Sequence, residues 1–307
     1  MRNAFAEEIT ALAQEDPRLV LLSGDIGNKL FDRFKAAAPD RFVNCGVAEA
    51  NMAGVAAGLA LAGLHPVTYT IAPFNTIRCL EQIKLDICYH RLPVVIVGTG
   101  AGLSYANLGP THHSCDDIAL LRVLPNMTVL CPGDCAELRV LLRQALALRS
   151  PVYLRIGKKG EPSVHAVPPA LRIGRALVAA RGDCACLLST GNMLPTAMQV
   201  RAELSARGRS VEVVSFHTVK PLDGEFLSAA AARFRHIITL EEHGECGGFG
   251  GAIAEWFADR PARGSVELLR LALKDEFIDH CASQQEARAA QGLAPDALVD
   301  RIWRWLA

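Results

Sequence analysis

The sequence has neither net charge nor a long apolar run, and each absence removes a class of protein. Its 32 Lys and Arg residues balance 32 Asp and Glu residues, so the basic surface of a nucleic-acid binder is not expected. No apolar stretch approaches the roughly 20 residues that a membrane-spanning helix needs. Neutrality also removes one common means of staying soluble, so we expect partner subunits to cover part of the surface.

A secretion signal and a metal-binding cysteine pattern are not apparent either. The first segment, MRNAFAEEITALAQEDP, carries acidic residues and predicts an amphipathic helix rather than a signal peptide. The ten cysteines lie mostly inside apolar runs of a large chain, which favours buried free thiols. The pairs Cys131/Cys135 and Cys184/Cys186 lack a companion pair at zinc-site spacing, so no metal site is expected. We therefore expect a cytoplasmic protein.

Short apolar runs alternate with helical patterns along the 307 residues, which are enough for two domains. RLVLLSGDI, HPVTYTIAPF, LPVVIVGTGAG and MTVLCPGD predict strands, and TIRCLEQIKLDICYH and CAELRVLLRQALAL predict helices between them. Such alternation with continuously apolar strands indicates a parallel sheet that is covered on both faces. The Pro-, Gly- and charge-rich segment 161–174 predicts a linker. The fold class is therefore α/β, with two doubly wound domains at 1–160 and 175–307.

One carboxylate stands at the start of a run of small residues. The segment NCGVAEANMAGVAAGLALAG, residues 44–63, places Glu49 ahead of a helix whose Ala and Gly residues permit a close approach. A carboxylate in an apolar place costs several kcal/mol unless something pairs with it. Glu49 therefore predicts a bound partner. The alternative is a simple acid at a helix N-terminus, stabilised by the helix dipole.

Ligands of open parallel sheets bind beyond the carboxyl ends of the strands. The segment NLGPTHHSCDD, residues 107–117, lies at such an end and carries His112 after a Gly-Pro turn. An imidazole with a pKa near 6.5 can move protons at neutral pH. A turn with solvated histidines is the alternative. The occurrence of Glu49 and GPTH together, in order, favours a functional site.

Four motifs together resemble the transketolase family, which includes 1-deoxyxylulose-5-phosphate synthase. They are CGVAEANMAGVAAGLALAG, GPTHHSCDDIALLRVLPNMTVLCPGD, FHTVKPLD and TLEEHGECGGFGGAIAEW. They look like its pyrimidine-binding domain and its C-terminal domain, and the resemblance covers essentially the whole chain. It implies thiamine diphosphate as the cofactor. It also implies transfer of a two-carbon ketol unit between ketose and aldose sugars or sugar phosphates.

The resemblance assigns a role to the residues on the cofactor side. Glu49 would hydrogen-bond the far ring nitrogen of the aminopyrimidine and favour the tautomer that removes a proton from the thiazolium carbon. Phe74 would stack on the pyrimidine, with a core Phe as the alternative, and Asp25 would lie at the cofactor site. Arg78 matches the family's RAxDQI helix, where it would brace a subunit contact.

The sugar-reading residues match the family only in part. His112 would contact a substrate oxygen and shuttle protons. Leu108 stands where the family usually has an Asp that reads a sugar hydroxyl. This departure predicts an altered substrate, such as a deoxygenated or branched sugar.

The residues expected to bind the substrate phosphate also match the family only in part. The resemblance assigns substrate phosphate to Arg155 and Arg2, and Lys29 stands where the family has a small phosphate-contacting residue. A solvated surface cation is the alternative for each of the three. Gly100 replaces the His or Arg that is often found there, which predicts a weakened or remodelled phosphate site.

The GDG motif of full-length relatives, which with a distant Asn holds Mg²⁺ and the diphosphate, has no match. SGDIG, PGDCA and RGDCA all lack its second Gly. The resemblance therefore implies a separate diphosphate-binding subunit, equivalent to the N-terminal part of transketolase. We expect the helices at 52–62 and 76–90 to form contacts in a homodimer and in an α2β2 tetramer. The alternatives are a beta subunit of a 2-oxo acid dehydrogenase decarboxylase and a non-catalytic scaffold.

Overall fold

The computed structural model describes residues 1–260, 266–279 and 281–307, in which strands and helices alternate. The strands are β1 Leu19–Ser23, β2 Phe42–Asn44, β3 His65–Ile71, β4 Val95–Thr99, β5 Thr128–Leu130, β6 Val152–Ile156, β7 Leu177–Ala180, β8 Ala185–Ser189, β9 Val211–Ser215, β10 Thr218–Lys220, β11 His236–Gly244 and β12 Glu267–Leu273. The α-helices are α1 Arg2–Glu15, α2 Asp32–Ala37, α3 Glu49–Leu61, α4 Leu80–Gln82, α5 Asp117–Arg122, α6 Cys135–Ala147, α7 Leu194–Ala206, α8 Gly224–Arg233, α9 Phe249–Ala258, α10 Gln284–Ala290 and α11 Pro295–Trp305. None of these described helices is long and apolar enough to cross a membrane.

The first sheet has seven strands in the order β10-β5-β6-β4-β3-β1-β2. All neighbours are parallel except β10, which pairs antiparallel with β5. β1, β3, β4 and β6 are buried along their whole length, as expected for a parallel sheet with both faces covered. Leu21 and Val67 belong to an apolar cluster with α1 and α6, and Leu22 and Ile96 to one with α3. Alternate residues of the strands therefore face opposite layers of helices.

The second sheet has five strands in the order β12-β11-β8-β9-β7, and only its edge strand β7 is antiparallel. α7 and α11 cover one face. α8 and α9 cover the other face, in an apolar cluster that continues to α3 of the first sheet. Two α/β domains with mostly parallel sheets were predicted, and the structure has this architecture.

The segment SVEVVSFHTVKPLD does not stay within the second unit, to which the sequence pattern assigned it. Its first part is β9, but β10 crosses over and closes the edge of the first sheet. The backbone N–H of Cys131 donates to the carbonyl of His217 at 2.8 Å, which continues this pairing. The chain from β6 to β7, which contains the predicted linker, is irregular. It is held to the first domain because the Asp134 carboxylate accepts from the backbone N–H groups of Val164 and His165.

The predicted helix at 76–90 is not a uniform α-helix. A 3₁₀ turn at Ile77–Cys79 leads into α4, and a π-helix follows at Ile83–Tyr89. Its i→i+5 hydrogen bonding suits the burial of Ile83, Ile87 and Cys88 together. π-helical turns are rare and occur frequently at functional sites. This one follows directly after α4, one turn beyond Arg78.

Candidate active site

Glu49 is the first residue of α3, and its side chain is only 4% exposed. Among the described residues its hydrogen-bond donor is Arg78, whose Nη1 lies 3.4 Å from each carboxylate oxygen. This distance is long for a charge-assisted hydrogen bond, which is normally below 3 Å. The buried carboxylate is therefore weakly partnered within this chain.

Arg78 joins Glu49 to the aromatic part of the site. Its guanidinium lies 3.8 Å from the centre of the Phe74 ring, and its side chain is 46% exposed. The Phe74 ring meets the His112 ring edge to face, with the centroids 5.0 Å apart. The structure thus brings together Glu49, Phe74 and His112. It places Arg78 between them, although the sequence predicted a role for Arg78 at a subunit contact.

The turn that carries Phe74 is fixed by buried polar side chains. Phe74 follows β3, and the amide of the next residue, Asn75, donates to the carbonyl of Val97 at 2.9 Å. Thr76 donates its hydroxyl to the carbonyl of Ala72 at 2.8 Å. These bonds attach the turn to β4 and hold the Phe74 backbone in place.

His112 lies in the segment between β4 and α5, residues 100–116, which we call the substrate loop. Reciprocal backbone hydrogen bonds between Gly102 and Ser114, of 3.2 and 2.9 Å, close the base of this loop. The His112 Nδ1 lies 2.9 Å from the Thr111 hydroxyl. Burial, assisted by the Arg78 and His113 side chains, lowers the pKa of His112. The imidazole is therefore neutral at physiological pH.

Three basic side chains, those of Lys158, Lys159 and Arg2, lie beyond His112, and we call them the basic end of the site. The Tyr105 ring is 6.1 Å from that of His112, and Lys158 Nζ lies 4.3 Å from the Tyr105 ring centre. Burial and the nearby cations Lys159 and Arg2 lower the pKa of Lys158. The buried Nε of Arg2 has no hydrogen-bond partner in the described part of the chain. An anion could satisfy these groups together.

Tyr105 and Lys158 are residues that the sequence reasoning missed. Lys158 lies in GKKG directly after β6, at the carboxyl end of a parallel strand. This position could have identified Lys158 as a candidate ligand-binding residue from the sequence. Tyr105 offered only an aromatic ring in a loop.

The geometry does not support the phosphate contact predicted for Arg155. Its side chain is only 1% exposed, and Nε donates to the Asp117 carboxylate at 2.7 Å. Nη2 donates to the carbonyls of Ser114 at 2.7 Å and Glu242 at 3.0 Å. Because its guanidinium donates to Ser114 on the substrate loop and to Glu242 in the second domain, Arg155 instead links the two.

The three other predicted residues lie nearer the surface. Asp25 has a left-handed backbone (φ 55°) and accepts a 2.9 Å hydrogen bond from Asn44, which also accepts from the N–H of Gly46. Asp25 thus borders the loop that leads to Glu49. Leu108, 41% exposed, ends a 3₁₀ turn of the substrate loop. Lys29 is exposed, and no contact joins it to the Glu49–His112 cluster in the described residues.

Comparison with known proteins identifies the family. The family "Transketolase, pyrimidine binding domain" matches residues 1–161, and "Transketolase, C-terminal domain" matches residues 174–298. The chain belongs to the transketolase family. The predicted resemblance and the two-domain α/β fold are confirmed.

Separate subunits are among the relatives of this transketolase chain. It is 34% identical, over 90% of its length and 85% of the relative's, to the 6-deoxy-6-sulfo-D-fructose transketolase subunit SqwH of Clostridium sp. (strain MSTE9). An apulose-4-phosphate transketolase subunit of Phocaeicola vulgatus is 31% identical over 97% of this chain and 94% of its own length. A solved structure described as a split gene transketolase, inactive beta4 tetramer, has a TM-score of 0.89 at 33% identity and covers 99% of this chain and 97% of its own. The chain is thus a beta-type transketolase subunit, a transferase of the split form.

Other relatives are longer enzymes. The chain is 35% identical to 1-deoxy-D-xylulose-5-phosphate synthase of Synechococcus sp. (strain RCC307) over 97% of its own length. It spans only 46% of that synthase.

Enzymes of this family use thiamine diphosphate, and the site fits the pyrimidine ring of that cofactor. The planar Arg78 guanidinium lies on the Phe74 ring, and its Nη1 donates toward the Glu49 carboxylate. A flat heterocycle with a hydrogen-bonding nitrogen could make the same two contacts. Among the described residues, no group of three His, Cys, Asp or Glu side chains could hold a metal ion.

Proposed function

We propose that this chain is the pyrimidine-side subunit of a thiamine diphosphate-dependent transketolase, active with a separate diphosphate-binding subunit. It would transfer a two-carbon ketol unit between sugar or sugar phosphate substrates. The observation that supports this most is one continuous set of contacts. It runs from Glu49 through Arg78 and Phe74 to His112, and continues to the basic end at Tyr105 and Lys158.

Each residue of this set has a distinct role. Thiamine diphosphate, when bound, supplies a nucleophilic thiazolium carbon. Glu49 would hold a hydrogen bond to the pyrimidine nitrogen, and Phe74 would pack on the ring face. Asp25 would border the cofactor from the loop after β1. Because the Nδ1 of His112 faces Thr111, its Nε2 is the atom that can exchange a proton with a substrate oxygen.

The basic end would hold an anionic group of the sugar, such as a phosphate or a sulfonate. The Arg2 Nε is buried without a partner in the described residues, and the pKa of Lys158 is lowered by burial and by adjacent cations. An anion would relieve this repulsion. Two relatives are named for a sulfo sugar and a sugar phosphate, which agrees with this choice. Leu108 leaves an apolar surface on the substrate loop, so we propose a sugar that lacks one polar contact there.

A partner subunit would supply the remaining half of the cofactor site, including Mg²⁺. The surface at α3 and the π-helix exposes Val47, Leu61 and Tyr89, at 72%, 70% and 77%. These side chains suit a homodimer contact within an α2β2 tetramer, because closed symmetric interfaces commonly bury such surfaces. The ten cysteines are all free, which supports a reducing, cytoplasmic location.

The test is reconstitution with the diphosphate-binding subunit and Mg²⁺. We expect ketol transfer from a ketose phosphate by the pair, and neither transfer nor tight cofactor binding by this chain alone. Glu49→Gln should slow proton exchange at the thiazolium carbon by about two orders of magnitude or more, without loss of assembly. Decarboxylation of 2-oxo acids would instead identify a dehydrogenase subunit. Full exchange and transfer by the Glu49→Gln pair would identify a scaffold.

A further inference from the structure

We propose that the second domain positions the substrate loop, and with it His112 and Tyr105, through the buried carboxylate of Glu242. This inference rests on the proposed function. It gives the C-terminal domain, which contributes none of the residues in contact with the proposed cofactor or sugar, a part in the reaction. Glu242 would be a positioning residue rather than a catalytic one.

The first observation concerns the topology of the second sheet. From β8 the chain proceeds to β9 on one side and later returns to β11 on the other side. The crevice outside the carboxyl ends of two such neighbouring strands is where doubly wound sheets bind their ligands. Here the substrate loop of the first domain occupies it. Leu103 is 0% exposed and Ala106 2% exposed, and both belong to the apolar core of the second domain.

The second observation is the set of donors around Glu242, which lies near the end of β11 with a side chain that is 0% exposed. Oε1 accepts the backbone N–H of Leu103 at 2.6 Å and the amide of Gln284 at 2.8 Å. The Arg288 guanidinium pairs with Oε2. A buried carboxylate is stable only when such donors satisfy it. One of them is the backbone of the substrate loop itself.

The third observation is that the backbone of the substrate loop lies very close to the Glu242 side chain. A Cβ at Gly102 (φ 58°) would come too close to the Glu242 Oε1, at 2.4 Å, so only glycine allows this contact. The Gln284 amide also reaches the Ser104 hydroxyl at 3.4 Å. At the other end of the loop, the N–H of Gly244 donates to the carbonyl of Cys115 at 2.8 Å. The second domain thus holds both ends of the loop.

These contacts bear on catalysis because His112 has no rigid element of its own. It lies ten residues beyond Gly102 on the substrate loop, and its ring contacts Phe74, Tyr105 and the Thr111 hydroxyl of the same loop. Misplacement of a reacting group by about 1 Å can cost roughly a hundredfold in rate. Loss of the Glu242 anchor should therefore impair transfer. The Glu49 part of the site, on α3, should be unaffected.

The experiment compares Glu242→Gln with Glu241→Gln in the assembled pair. Glu241 is a matched control because it is equally buried on β11, yet it accepts from the N–H groups of Phe249 and Gly250 within its own domain. Glu242→Gln should accelerate hydrogen exchange of the 100–116 peptide about tenfold or more, whereas Glu241→Gln should not. It should also lower kcat/KM for the sugar by about ten- to a hundredfold. Cofactor affinity and thiazolium proton exchange should stay within about twofold of the wild type.

Gln284→Ala is the milder second variant, because it leaves the Glu242–Arg288 pair intact. It should show a smaller rise in the loop exchange and a smaller fall in kcat/KM for the sugar. Equal effects of Glu241→Gln and Glu242→Gln would overturn the inference, as would an unchanged loop in Glu242→Gln and Gln284→Ala. The hydrogen exchange needs no substrate. It therefore decides the inference even where the wild-type pair shows no ketol transfer and the proposed function fails.

Discussion

At the scale of single residues, Arg78 has both of the contacts that a pyrimidine ring would need. Its guanidinium covers the Phe74 ring at 3.8 Å and reaches the Glu49 carboxylate at 3.4 Å. Neither contact is strong: the Arg78 side chain is half exposed, where a cation–π contact is worth about 0.5–1 kcal/mol, and its 3.4 Å separation from Glu49 is longer than a charge-assisted hydrogen bond. We therefore expect a bound cofactor to displace Arg78 from both contacts.

Replacement of Arg78 tests this view. Arg78→Met removes the competing cation, so we expect the assembled pair to bind thiamine diphosphate about two- to tenfold more tightly. Titration of cofactor binding by calorimetry measures the change. Arg18→Met is the control, because Arg18 pairs with Asp16 on the surface. Weaker binding in Arg78→Met would mean that Arg78 contacts the bound cofactor directly.

The pH dependence of transfer should report His112. Burial, Arg78 and His113 lower its pKa from 6.5, so the folded imidazole stays neutral as the pH falls through 6.5 and charges only below that value. The unfolded chain binds this proton first, so the contribution of neutral His112 to stability is also lost below pH 6.5. We expect the acid limb of kcat/KM to lie below pH 6.5.

Two variants examine this assignment. His112→Gln should lower kcat by about a hundredfold or more and remove the acid limb. Arg78→Met, which removes one cation near His112, should move the limb upward toward pH 6.5. An acid limb that remains in His112→Gln would assign the titration to another group.

At the scale of elements, the sequence predicts what local patterns control. β1, β3 and β4 were recognised because they are short runs rich in apolar and β-branched residues, followed closely by Gly, Asp or Pro. β2 has only three residues and two of them are exposed, so it carries no such pattern. The crossing of β10 to the first sheet is a non-local pairing, and periodicity contains no information about the strand on which a segment will lie.

The same difference between local patterns and non-local contacts explains which parts of the candidate site were predicted from the sequence. Glu49 and His112 were recognisable because each lies in a motif of contiguous residues, and Phe74 because it ends a predicted strand of a chain that resembles the family. The contact of Lys158 with Tyr105 joins segments that are 53 positions apart, and only the fold brings them together. Arg155 was assigned to phosphate from the family resemblance. Its ion pair with the buried Asp117 on α5 could not be inferred from the sequence.

At the scale of the whole molecule, the exposed apolar side chains are unevenly distributed. Val47, Leu61 and Tyr89 lie on or beside α3 and the π-helix. Val47 lies two residues before Glu49, so a neighbouring subunit that covered this part of the surface would also approach the candidate cofactor site. Interfaces that bury a few such side chains within a large apolar area can be obligate.

A single charge on this surface should test the assembly. Leu61→Lys ends α3 with a cation, which the helix dipole favours, so the fold should keep its stability to within about 0.5 kcal/mol. Burying that charge against a second subunit would cost several kcal/mol, and we expect self-association to fall by about a hundredfold or more. Sedimentation of the chain alone and with the diphosphate-binding subunit measures this. Val167→Lys, at a site that is 71% exposed on the irregular chain between the domains, is the matched control and should assemble normally. Normal assembly of Leu61→Lys, with loss of assembly in Val167→Lys, would place the interface on the segment between the domains instead.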